Sequence, residues 1–196
     1  MDARTAILAA ARDLARQEGW DALTMRRLAE RIEYSTNFAY RYFSGREAIL
    51  LALVRDGFAQ LRDHMAAAAA DRSLDGDSEA EAVRRAGHAY LDFGLAEPDL
   101  YQVMYGLGGV RVAAADTHVE GQAVGDLLTG LLRAAGDRDA ADHVLRLWAT
   151  AHGLLALYGV GRVDSDPEHL HALLDAGLDD VLRRLPTSGR PGARQP

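Results

Sequence analysis

Thr24-Met-Arg-Arg-Leu-Ala-Glu-Arg-Ile-Glu-Tyr-Ser-Thr-Asn-Phe-Ala-Tyr-Arg-Tyr-Phe-Ser-Gly-Arg-Glu47 is written as two short helices separated by a turn. Met25, Leu28, Ala29 and Ile32 recur at helical spacing and make one buried stripe. Ser35 is a good N-cap for a second helix, expected over Ser35–Phe43. That second helix carries Thr36, Asn37, Tyr40, Arg41 and Tyr42, a set too polar to be justified by core packing. Such groups reach base edges and phosphates, so the pair is expected to be a helix-turn-helix whose second helix enters a DNA major groove. Ser44 and Glu47 have the spacing of a capping box for a further helix, with Arg46 in its first turn beside N–H groups that favour a phosphate. The competing reading is an ordinary helical hairpin with a solvated face; the interleaved Tyr40, Arg41 and Tyr42 weigh against it.

The stretch Ile7 to Leu53 resembles the N-terminal DNA-binding domain of the tetracycline-repressor-like (TetR/AcrR) regulators. The likeness is carried by Ile7-Leu8-Ala9-Ala10-Ala11, Leu14, Gly19-Trp20, Thr24, Tyr40-Arg41-Tyr42-Phe43 and Arg46-Glu47. Trp148, His152 and Gly153, with Pro98-Asp99-Leu100-Tyr101, resemble the subgroup named for its Trp-His-Gly motif. The sequence departs from the family pattern at the turn, where Glu33 stands for the usual Gly and Tyr34 for a small aliphatic residue. Asn37, Phe38 and Ala39 differ from it as well. A residue at that turn often needs a positive φ, which Glu disfavours. Phe38 is expected either to fill space beneath Ala39 or to meet a thymine methyl.

The 196 residues are 48% hydrophobic, enough for one or two small domains with a core. There is no Cys, which excludes disulfides, thiolate metal sites and Cys nucleophiles. All 22 basic residues are Arg, so lysine catalysis is excluded and phosphate contacts must come from Arg and neutral donors. No basic-then-apolar leader and no long uncharged apolar run is present, and a soluble, cytoplasmic protein without membrane contact is expected. The net charge of −7 is uneven: residues 1–46 hold eight Arg against six acids, leaving +2, and the remainder carries −9. A mildly basic head on an acidic body suits a DNA reader whose body binds something else.

The expected architecture is all-α, with about nine helices and no strand. A DNA-binding head over 1–46 precedes a ligand-binding and dimerisation domain over 47–185 and a disordered Pro-, Gly- and Arg-rich tail over 186–196. Further helix starts are marked by Ser78 with Glu81, by Pro98, by Thr117 with Glu120, by Asp139, and by Asp166-Pro167. The polar segment 71–77 is a plausible hinge. The run Gly106-Leu-Gly-Gly109 has no preceding strand and is expected to be loop.

The last two expected helices are apolar on more than one side and propose a two-fold interface through Leu147, Leu154, Leu155, Leu170, Leu174, Leu178 and Val181. Tyr90, Phe93, Tyr101, Met104, Tyr105, Trp148 and His152 could line an effector cavity, since apolar bodies with a few polar tips are usual for small-molecule sites. Core packing is the alternative for each of these taken singly. His88/Asp92 and Asp139/His143 fall four apart, as metal ligands can, but no third ligand is fixed by spacing, so no metal, cofactor or catalytic set is expected. Together these features predict a homodimeric, ligand-responsive regulator, most simply a repressor. Thr24, Ser35, Tyr40, Tyr42 and Arg46 would hold phosphates or the helix start, while Thr36, Asn37, Phe38 and Arg41 would read bases of a double-stranded operator. A small-molecule-binding dimer with a degenerate head is the alternative.

Overall fold

The computed structural model describes residues 2–71, 78–107, 109–110, 112–163 and 166–185. Among these residues the chain forms nine α-helices and no strand. They are α1 (Ala3–Glu18), α2 (Met25–Arg31), α3 (Thr36–Tyr40), α4 (Arg46–Ala70), α5 (Glu79–Ala96), α6 (Pro98–Tyr105), α7 (His118–Ala134), α8 (Ala140–Gly159) and α9 (Pro167–Leu182). Short 3-10 turns lie at Trp20–Ala22 and Ala114–Asp116. The expected tail over 186–196 and most of the expected hinge, residues 72–77, lie outside the described residues.

Each helix of the head starts on a side-chain oxygen. Asp2 accepts from the Thr5 amide, Thr24 from that of Arg27 and Ser35 from that of Phe38. Ile7, Ala11, Leu23, Leu28, Ala39 and Ile49 pack together with almost no exposure, and fix the angle between α2 and α3. The turn between these helices is closed by two backbone bonds, Tyr34 N–H to the Ala29 carbonyl (3.0 Å) and Glu33 N–H to that of Glu30 (3.2 Å). This is a Schellman pattern, whose left-handed position normally belongs to Gly; here Glu33 occupies it at φ 57°. Regular α-helix ends at Tyr40, earlier than the expected Phe43, because the Arg41 and Tyr42 amides tighten onto the carbonyls three residues back.

The expected Ser44–Glu47 box does not form. Gly45 is the N-cap and carries no side-chain cap bond, so Ser44 stands one residue outside the cap position. Thr117 does occupy the N-cap of α7, but at ψ 11° its side chain makes no cap bond, and Glu120 instead meets Arg55 at 3.1 Å. At the start of α8 the working carboxylate is that of Asp137, not Asp139. The Asp137 side chain accepts from the Asp139 amide and pairs with His143 Nδ1 at 2.7 Å.

In the body α5 is the central element and packs on α4, α6, α7, α8 and α9. Gly94 lets α8 approach so closely that a Cβ there would collide with Leu155. Along α9, Leu170, Leu174, Leu178 and Val181 are buried inside the protomer, as are Leu147 and Leu155 of α8, with Leu154 partly covered. These side chains were expected at a subunit interface, but six of the seven are core, since α5 packs on both helices of the hairpin and α7 on α8; Leu154 is half-buried against that core. The α5–α9 seam is crossed by Arg84 to Asp175 and Asp179 (2.8 and 2.6 Å), His88 to Asp175 (2.8 Å) and His171 to Asp92 (2.9 Å). His88 and Asp92 therefore make separate hydrogen bonds, to Asp175 and His171, instead of sharing a ligand.

The head is joined to the body at α6. Arg12 and Arg16, on one face of α1, both reach Glu97 and Asp99 at the α5–α6 break. The Trp20 indole N–H donates to the Asp99 carbonyl at 3.2 Å. Asp99 is buried, so its charge depends on these two guanidinium groups.

Two stability outcomes are expected. Glu33→Gly removes a left-handed penalty of about 1–2 kcal/mol and adds an unfolded-state entropy cost of about 0.4–1 kcal/mol, so urea unfolding should show a gain of about 0.5–1 kcal/mol. A loss on this substitution would mean that the turn is not strained at Glu33. Asp99→Asn should cost about 2 kcal/mol in the same measurement, because hydrogen bonds to charged groups are lost at a buried position. An unchanged midpoint would show the joint to be fully screened by solvent.

Candidate nucleic-acid interface and ligand cavity

Ser35 starts α3 and leaves Asn37, Tyr40, Arg41 and Tyr42 in solvent on the outer surface of the head. Tyr40 is 51% exposed and Tyr42 41%, high values for aromatic side chains on a helix this short. Thr36 is half-buried. Phe38 does not lie simply beneath Ala39: it is partly buried and sandwiched, with its ring stacked on Tyr34 at 4.2 Å and tilted against Tyr42 at 5.2 Å. The three rings, four residues apart in turn, make an aromatic column beside the polar face. Thr24 uses its oxygen to cap α2 and remains exposed.

Arg46 corrects the expectation of a phosphate contact. Its Nε donates to the Leu23 carbonyl at 3.0 Å and its Nη2 to that of Trp20 at 3.1 Å. The guanidinium thus turns inward and braces the first turn of α4 against the 3-10 turn after α1. Sequence reasoning placed it correctly in that turn but could not see these two carbonyls, of which that of Trp20 also accepts the Leu23 amide.

Inside the body lies a cavity of about 780 Å³, bounded by α4, α5, α6, α7, α8 and α9. Its volume falls in the range typical of small-molecule sites. Of the seven residues expected there, Tyr90, Met104, Tyr105 and Trp148 line it. Phe93, Tyr101 and His152 do not; Phe93 and Tyr101 are buried behind the wall. Much of the wall that the sequence did not suggest comes from α7, including Gly121, Val124, Gly125 and Leu128. The signal was present as glycines four apart on a helix, and a Cβ at Gly125 would meet nothing within 4 Å. From α4, Phe58 reaches the wall and sets its ring edge-on to Tyr105 at 5.5 Å.

One polar network backs the cavity. The Tyr90 hydroxyl accepts from Trp148 Nε1 (3.0 Å), donates to the Tyr105 hydroxyl (3.1 Å) and bonds that of Tyr101 (2.9 Å). Tyr101 in turn meets His152 Nδ1 at 2.7 Å. Burial pushes the phenols of Tyr90, Tyr101 and Tyr105 well above their ordinary values, so all three stay neutral. Burial also lowers the His152 pKa and favours its uncharged form. Among the described residues no three His, Asp or Glu side chains converge as metal ligands, and no helix is long and apolar enough to cross a membrane.

Residues 7–53 match the N-terminal domain of the bacterial regulatory proteins of the tetR family, and residues 83–181 match the tetracyclin-repressor-like C-terminal domain. The HTH-type transcriptional regulator YobS of Bacillus subtilis strain 168 is 27% identical over 170 residues, 85% of this chain and 84% of that protein. A protein of unknown function from Rhodococcus sp. RHA1 superimposes with a TM-score of 0.77 at 28% identity, covering 94% of this chain and 96% of that one. The TetR-family regulator PfmR of Thermus thermophilus shares the fold, with a TM-score of 0.68 at 19% identity over 90% of this chain and 97% of its own. With both ends of its architecture matched in register, the chain belongs to the TetR family of transcriptional regulators.

Proposed function

We propose that this protein is a homodimeric, one-component repressor released from its operator by a small molecule. The observation that carries the reading is the pairing, on one chain, of a polar recognition helix with a largely apolar cavity, bridged by α4. α4 begins at the Arg46 brace in the head and reaches the cavity wall with Phe58 and Met65. An effector that fits only one arrangement of α4 and α6 would shift the head between two positions, by as much as its affinities for them differ. In this reading Tyr40, Tyr42, Thr24 and the amides at the Ser35 cap position the head on phosphates, while Thr36, Asn37, Phe38 and Arg41 face bases. Arg46 acts through the packing of α4 and not on DNA.

Dimerisation is assigned to the apolar surface that α8 and α9 leave in solvent. Leu157 is 47% exposed, Leu173 40% and Val160 70%, with Tyr158 beside them. A single helix-turn-helix reads too few base pairs for specificity, and two on one face of the duplex, roughly 34–36 Å apart, answer that need. The closed Schellman turn favours an intact head over a degenerate one, despite Glu33.

The test is a titration of the purified protein against DNA from its own upstream region, at two salt concentrations with excess random competitor. Competitor-resistant binding is expected, and binding indifferent to sequence would sink the repressor reading. Tyr42→Ala should weaken binding to specific and random DNA alike by about 1 kcal/mol, since a phosphate contact carries no sequence information. A loss confined to one operator would move Tyr42 into the base-reading set. Leu157→Asp with Leu173→Asp should give a monomer in sedimentation equilibrium with an unchanged thermal midpoint. A dimer surviving both changes would place the interface elsewhere.

A further inference from the structure

We propose that the effector is an uncharged, largely apolar molecule carrying one hydrogen-bond acceptor, such as an ester or ketone carbonyl, which takes the proton of the Tyr105 hydroxyl. The inference rests on the effector-cavity reading above and names the chemistry of that site.

The hydrogen count of the network leads there. Tyr90 has one hydroxyl hydrogen and gives it to Tyr105, while it accepts from the Trp148 indole, which can only donate. Tyr90 therefore has no hydrogen left for Tyr101, and the 2.9 Å contact between them requires Tyr101 to donate. Tyr101 has then spent its own hydrogen, so the 2.7 Å contact with His152 Nδ1 requires that nitrogen to carry a proton and donate. The chain runs one way, from His152 through Tyr101 and Tyr90 to Tyr105. It ends at a hydroxyl that lines the cavity and whose hydrogen has no acceptor among the described residues. A donor in an apolar cavity selects a ligand that presents an acceptor to it.

The charge of the wall narrows the class further. No Arg occurs among the described lining residues, and the sequence contains no Lys. The ionisable side chains of the lining, His118 and Asp126, stand exposed on α7 at the rim. A carboxylate placed at Tyr105 would be desolvated with no cation beside it, and an ammonium there would face a donor. Tyr90 and Thr117, buried hydroxyls of the lining, are neutral too. The neutral phenols agree with this, since burial keeps Tyr105 protonated.

The experiment measures binding of methyl decanoate, decanoate and decylamine to the intact protein by calorimetry and by tryptophan fluorescence. Methyl decanoate is expected to bind at least about tenfold more tightly than either charged analogue. Tyr105→Phe keeps the ring and should weaken methyl decanoate about fivefold, the loss of one neutral hydrogen bond. Gly125→Leu points into open space from a helix interior, improves helix propensity and should abolish binding of all three by filling the cavity. Tighter binding of decanoate or decylamine, still abolished by Gly125→Leu, would overturn the uncharged class and leave the cavity reading standing. Unweakened ester binding by Tyr105→Phe would overturn the donor assignment. Absence of binding by any probe, or binding indifferent to Gly125→Leu, would overturn the effector-cavity reading and this inference with it.

Discussion

Asp99 holds the two ends of the molecule to each other. Its carboxylate is buried between Arg12 and Arg16 of α1, and its carbonyl takes the Trp20 indole. Because a buried carboxylate without these partners would be costly, α1 and α6 must either stay together or separate with solvent entering the gap. The same short helix carries Met104 and Tyr105 into the cavity wall, with Tyr101 behind it. A joint of this kind contributes about 2 kcal/mol. A ligand present at a hundredfold its Kd for one arrangement supplies about 2.7 kcal/mol. The two are of the same order, so a ligand that displaced Tyr105 could offset the hold of α6 on the head. α4 gives a second path over the same distance, through Phe58 against Tyr105 at one end and the Arg46 brace at the other.

Nearly all of the helical framework was legible in the sequence because its signals are local. Asp2, Thr24, Ser35, Ser78 and Asp166 each accept from an amide three residues on, and Pro98 opens α6 where the chain breaks. The two capping boxes that do not form, Ser44–Glu47 and Thr117–Glu120, share one cause. A capping box needs its first residue to sit at the N-cap in extended geometry, and spacing alone does not fix that: Gly45 took the position at one site, and Thr117 there has ψ 11° at the other. Glu33 is the opposite case, where the family likeness pointed to a positive φ and the turn adopts one despite an unfavourable side chain.

The sites were less legible because they depend on which apolar face meets which neighbour. Leu170, Leu174 and Leu178 have the spacing of an interface stripe and of a core stripe at once; only the packing of α5 and α8 against them decides for core. The exposed Leu157 and Leu173 are interspersed in the same runs and carry no separate pattern. The cavity was half visible. Aromatic residues announce themselves, and Tyr90, Tyr105 and Trp148 were found. A wall made partly of absence, such as Gly125, does not. Tyr101 and His152 belong to the site by hydrogen bonding instead of by contact with its space, a distinction that only distances can draw.

The distribution of arginine explains why such a head would answer to a small movement. Of the eight in residues 1–46, Arg12 and Arg16 are tied to the body, Arg27 to Glu18, Arg26 to Glu30, Arg31 to Gln17 and Arg46 to two carbonyls. Arg4 lies over the Phe43 ring at 5.2 Å. Arg41, at the end of the recognition helix, is left without an ion pair among the described residues. Affinity for phosphate grows with the number of charges neutralised, and a head with so few to offer gains little from bulk attraction. In the proposed reading it relies on placed contacts by hydroxyls, amides and one or two guanidinium groups, which tolerate displacement poorly. A protein clinging to DNA by a broad basic surface would stay bound while its heads shifted. One that binds through a few fixed contacts from each of two heads loses them together when their separation changes, so a cavity far from the DNA can control binding without touching it.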